Sequence, residues 1–152
     1  MAAPHTRKPL TPWQVLTRIA AALVVLFLVA QLVPYGRSHA NAAVTGEPAW
    51  PAGGRDLAVR ACYDCHSNVT TWPWYSNIAP VSWLTQRDVN EGRGWLNFSE
   101  WNRGGSGAES AATVLSGKMP PVYYTWAHPR AALSAAEKAQ LARALQALPL
   151  GQ

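Results

Sequence analysis

Residues 62–66 read Cys-Tyr-Asp-Cys-His, and the two thiols in that run are the only ones in the chain. A disulfide framework needs several separated pairs, so two cysteines three positions apart have a local task. The pattern C-x-x-C-H is the attachment signature of c-type haem. Its spacing has a physical basis. Two thiols at this separation reach the two vinyl groups along one porphyrin edge, and the adjoining imidazole turns under the iron as an axial ligand. The residues therefore read as one covalent haem c on Cys62 and Cys65, with His66 as the proximal iron ligand.

Two other readings of the motif find less support. A thioredoxin-like dithiol would lie in a βαβ context, which the flanking sequence lacks. A structural zinc site wants four ligands, commonly from two separated pairs, and beyond the motif only His5, His39 and His128 remain.

For the distal side of the iron the first candidate is Met119, which follows a predicted helix and precedes Pro120 and Pro121. Met/His ligation raises a haem's reduction potential. The only other methionine is the initiator. His128 is the second candidate, and an open sixth position the third. In purely structural roles Met119 would fill a core gap and His128 would bond a loop. Six of the eight tryptophans fall between residues 72 and 126. Trp72, Trp74, Tyr75, Trp83, Tyr123, Tyr124 and Trp126 are expected to line a haem crevice or to serve as ordinary core. Arg87, Arg93 and Arg103 are candidates for propionate partners, with solvated surface as the ordinary fate of each.

Helices must position these groups. One from Asp56 delivers Cys62 at its end, with Leu57, Ala58 and Ala61 on one face. Pro80 opens another that runs to Glu91 and stops at Gly92. Ser106 and Glu109 fit a capping box for a helix ending at Gly117, just before Met119. Ser134 and Glu137 repeat the box before a helix carrying Leu141, Leu145 and Leu148, closed by Pro149. No stretch alternates as a strand should, so the domain reads as all-α.

The amino-terminal part is an export signal. Ile19 to Val33 is apolar apart from Gln31, with basic residues before it. Trp13 to Tyr35 would make about 33 Å of helix with an aromatic at each end, which suits a retained anchor. The 15-residue apolar core and the small residues around Ala40 and Ala42 also suit a cleaved signal. The positive-inside rule sends the rest of the chain outward in either case. The expected organisation is a cytoplasmic tail (1–12), a transmembrane signal-anchor (13–35), a linker (36–54) and a haem domain (55–150).

Thirteen basic residues against eight acidic ones give a net charge of +5. Setting aside Arg7, Lys8 and Arg18, which precede the apolar segment, leaves 10 basic against 8 acidic residues with no block of like charge. Nucleic-acid binding is not expected.

Cys62 to Leu84 (CYDCHSNVTTWPWYSNIAPVSWL) closely resembles the haem-binding domain family of small membrane-anchored bacterial proteins. So do LNFSEW (96–101), SGKMPPVYY (116–124) and HPRAALS (128–134). The likeness runs from about Val33 to Leu148. It implies a cytochrome-c-like helical haem domain behind one transmembrane helix, in the bacterial inner membrane with the domain in the periplasm. The expected function is electron transfer with membrane redox proteins and no small-molecule substrate. A haem-based sensor or peroxidatic enzyme with a labile sixth site is the alternative, and an anchored haem subunit of a larger complex a third.

Overall fold

The structure, a computed structural model, describes residues 10–149. Most of the expected cytoplasmic tail, residues 1–9, lies outside the described residues, as does Leu150. All of the regular structure among the described residues is helical, and the sole β pairing is an isolated bridge between Gly46 and Glu100. The expected all-α class is observed.

Helix α1 spans Pro12–Ala30. Thr11 caps it by accepting from the Gln14 amide while the Gln14 side chain accepts from the Thr11 amide, and Pro12 occupies the first turn. No α1 side chain is buried, and the helix is long and apolar enough to cross a membrane. It stops earlier than Tyr35. Gln31 turns its amide back to the Phe27 carbonyl and onward to Ala79, which ends the helix at Ala30.

Residues 36–54, read as a linker, are instead strapped to the domain. Gly36 is buried with φ +80°, and a Cβ there would meet the Ser82 carbonyl oxygen at 2.2 Å. His39 stacks on Trp72, Asn41 donates to the Thr70 carbonyl, and the amides of Thr45 and Gly46 both donate to the Ser99 carbonyl. A segment without hydrophobic period still carries main-chain polar groups, and the domain's side chains and loops satisfy them.

The domain follows as α2 (Gly54–Ala61), α3 (Tyr63–His66), a 3₁₀ turn at Trp74–Asn77, α4 (Val81–Trp95), a 3₁₀ turn at Trp101–Arg103, α5 (Gly107–Leu115), α6 (Val122–Ala127), a 3₁₀ turn at Pro129–Ala131 and α7 (Ala135–Gln146). Helix α7 packs on α5 and α2, and α3 packs on α4. The core gathers Leu57, Phe98, Trp101, Val114, Leu141 and Leu145. At Ser134 the full capping box forms, whereas at Ser106 only the serine half does.

Helix α4 does not stop at Gly92 but runs through it to Trp95. The glycine has another cause. A Cβ at Gly92 would lie 2.5 Å from the Cys65 carbonyl oxygen, so the missing side chain lets α3 approach α4.

Candidate cofactor site

Cys62 breaks the helical path between α2 and α3, with φ −129° and ψ −36°. Its amide closes α2 by donating to Ala58, and its carbonyl accepts from the amides of Cys65 and His66, opening α3. The residues between the cysteines anchor this turn. Tyr63 is turned into the core at 2% exposure, stacked on Phe98, with its hydroxyl accepting from the Trp50 indole. Asp64 accepts from the Thr71 amide and from the Tyr124 hydroxyl at 2.7 Å. With Tyr63 held inward and Asp64 held outward, Cys62, Cys65 and His66 share one cavity.

That cavity has a volume of about 420 Å³, within the usual range for cofactor clefts. Met119 lines it together with Cys62, Cys65 and His66. Leu96, Phe98, Val114 and Leu145 supply apolar wall. Met119 is positioned by the turn after α5, where the amides of Lys118 and Met119 both donate to the Thr113 carbonyl. The structure therefore brings together four residues separated by up to 57 positions.

The imidazole of His66 is oriented by the main chain. Its Nδ1–H donates to the Leu96 carbonyl at 3.1 Å, and Nε2 has no hydrogen-bond partner among the described residues. Metal-ligating histidines use their second nitrogen in this way to fix tautomer and ring orientation. Burial lowers the His66 pKa below 6.5 against the opposing influence of the nearby Leu96 and Gly92 carbonyls, which favours the neutral ring with its Nε2 lone pair available. Both cysteines are unpaired thiols. Burial pushes each up to about 12, reinforced at Cys62 by Cys65 and at Cys65 by Asp88 and Asp64.

Reduced thiols, an imidazole with one nitrogen committed and the other open, apolar walls and a thioether on the same cavity fit a covalently attached haem. Among the described residues no group of three or more His, Cys, Asp or Glu is arranged to hold a metal ion directly, which leaves the zinc reading without a ligand set.

His128 does not line this cavity. Its ring stacks on Tyr124 at 4.4 Å and its Nε2 is hydrogen-bonded to the Tyr75 hydroxyl. Of the aromatics expected to enclose the cofactor, Tyr123 and Tyr124 line the cavity, while Trp72, Trp74, Tyr75, Trp83 and Trp126 do not. Trp74 and Trp126 are about three-quarters exposed, and Trp72 is spent on His39. Phe98 and Trp95 take part instead. The Tyr123 hydroxyl donates to Asp88, so both tyrosines of α6 tie it across the cavity to acidic groups of α4 and α3. Burial is the main cause that raises both phenols and the Asp88 carboxyl.

Among the described residues no arginine reaches the cavity wall. Arg87 pairs with Glu91 and Arg103 with Glu100, while Arg93 bonds the Ser67 carbonyl, Asn41 and Thr70, joining the strap to the loop after the motif. The Leu96 carbonyl is the orienting group that sequence reasoning missed. A main-chain oxygen carries no residue signal, although LNFSEW is one of the segments that carry the family resemblance.

Searches of curated proteins and of solved structures return no match. A family model described as a haem-binding domain matches residues 25–147, which takes in the motif, Met119 and the whole strap. On that match, and with a cavity whose chemistry agrees with it, the chain belongs to the haem-binding domain family.

Proposed function

We propose that the protein is a membrane-anchored monohaem c-type cytochrome that transfers electrons on the periplasmic face of a bacterial inner membrane. One observation carries the reading: the Cys62 and Cys65 thiols, the open Nε2 of His66 and Met119 line a single cavity. When bound there, haem c supplies reversible one-electron exchange at iron.

The chain's own residues divide the work. Cys62 and Cys65 would hold the cofactor by thioether bonds, and His66 and Met119 would ligate its iron. Leu96 and Phe98 keep water from one side, and a methionine ligand in an apolar wall sets a raised potential. Helix α1 is the anchor, and Arg7 and Lys8 before it, with Arg18 in its amino-terminal half, direct the domain outward. The partners are membrane redox proteins.

The test is a pyridine haemochrome spectrum on denatured, solvent-extracted protein. One haem c per chain is expected to stay with the polypeptide, and a colourless extracted chain would end the reading. A low-spin spectrum in both oxidation states, unchanged by carbon monoxide after reduction, separates electron transfer from gas or peroxide chemistry at an open sixth site.

A further inference from the structure

Gln31, the first residue past α1, is bonded to the domain at a single place. Its side-chain Nε2 donates to the Ala79 carbonyl at 2.8 Å, and its Oε1 accepts from the Ala79 amide at 3.1 Å. Arg37 locks the joint, donating to the Gln31 carbonyl and to Oε1, each at 2.9 Å. Ser82 donates to the Tyr35 carbonyl, and Gly36 lies against the Ser82 carbonyl. The end of α1 is therefore clasped to residues 79–82 and does not swing on a tether.

The clasp is flanked by apolar side chains facing solvent. Trp74 is 76% exposed, and Ile78, Val81 and Leu84 are exposed beside it, with Leu32, Val33 and Tyr35 on the α1 side. Val81 and Leu84 stand one turn apart on α4 and share a face. The two segments, 31–39 and 74–84, contain no acidic residue and only one basic residue, Arg37, which the joint consumes. A 19-residue helix rises about 28 Å, close to the roughly 30 Å of a hydrocarbon core. With α1 spanning the bilayer as proposed, its end at Ala30, and hence Ala79, would fall near the boundary between lipid and water.

We propose that the face made by Trp74, Ile78, Val81 and Leu84 is seated in the lipid interface around the exit of α1, so that the domain holds one orientation on the membrane. The inference rests on the anchor reading of α1. Continuity with the apolar helix and the lack of charge identify the occupant as lipid, and an exposed tryptophan is the residue that interfaces favour. Helix α4 then acts as a spacer. It starts at the interface at Val81, reaches the cavity wall at Asp88, about 10 Å along its axis, and follows it to Trp95, about 21 Å along. The cofactor cavity is thereby held at a set height above the bilayer, where a partner in the same membrane meets it.

The test uses full-length haem-loaded protein in phosphatidylcholine vesicles with acyl chains brominated near the headgroup, against unbrominated vesicles. The ratio of tryptophan emission in the two is read for wild type, Trp13→Phe and Trp74→Phe. Both substitutions should reduce bromine-dependent quenching, and Ile78→Glu with Val81→Glu should abolish the share that belongs to Trp74. If Trp13→Phe reduces the quenching and Trp74→Phe leaves it unchanged, the seated face is wrong and the anchor stands. If wild type shows no bromine-dependent quenching, both are wrong. A Trp74 share that is missing at high protein-to-lipid ratio and appears only on dilution would assign the face to a second copy of the chain and overturn the lipid assignment.

Discussion

The Nδ1–H of His66 donates to the main-chain carbonyl of Leu96 across 3.1 Å, thirty residues along the chain. The same segment is tied again when the Phe98 amide donates to the His66 carbonyl at 2.8 Å. Ring orientation at the candidate iron ligand thus depends on how the loop after α4 returns to α3. The imidazole is neutral because burial disfavours its charged form, with a pKa below 6.5. The sign follows directly: keeping it neutral contributes stability above 6.5, and that contribution is lost as pH falls through the lowered folded value. In haem-free protein the thermal midpoint should drop as pH falls from 6.5 toward the lowered folded value, and His66→Phe should flatten the drop. Identical pH profiles for the two proteins would refute the buried neutral ring.

Gly92→Ala opposes two effects of known size. Alanine improves helix propensity by about 1 kcal/mol. The added Cβ meets the Cys65 carbonyl oxygen at 2.5 Å, and overpacking of that kind costs about 1–3 kcal/mol. Backbone cannot rotate away as a side chain can, so net destabilisation with less haem retained per chain is expected. A denaturant midpoint equal to or above wild type would show that α3 and α4 do not meet there.

Met119 and His128 can be separated spectroscopically. Met119→Ala should create carbon monoxide binding in the reduced protein and lower the reduction potential, because the thioether lines the cavity. His128→Phe keeps an aromatic face for Tyr124 while losing the bond to Tyr75, and should leave the low-spin spectrum as it was. Loss of the low-spin signal in the His128 variant alone would exchange their roles.

Glu137 serves two partners at once: it reaches the Ser134 amide in the capping box of α7 and pairs with Arg60 of α2. The Arg60 guanidinium, followed by the bonds at Ser134, lowers its carboxyl from 4.5 to about 2. A depressed acid contributes stability above its unfolded value and loses it as pH falls toward the folded one. Glu137→Gln should therefore weaken the domain at neutral pH, and the gap from wild type should close between 4.5 and about 2. A gap of constant size across that window would mean the charge is not involved.

Much of this protein is written locally. The C-x-x-C-H pattern at Cys62, Cys65 and His66 is legible because the attachment proposed for it needs only five consecutive residues. Ser134 with Glu137, and Thr11 with Gln14, mark helix starts through hydrogen bonds three residues long. Met119 was legible by elimination, being the one methionine besides the initiator. Other features were hidden or misread. Gly92 looks like a helix stop and is a contact point, while Trp72, Trp74, Trp83 and Trp126 look like cofactor walls and lie elsewhere.

The division follows the range of the forces involved. Residue spacing, helical periodicity and capping act over a few bonds, so the sequence alone determined the C-x-x-C-H pattern, the all-α class and the apolar first helix. Which aromatic faces the cavity, which carbonyl turns His66 and how Gln31 clasps Ala79 depend on groups thirty to sixty residues apart, several of them main-chain atoms common to every residue. Only tertiary packing, which satisfies those backbone groups where side chains happen to meet them, could decide these.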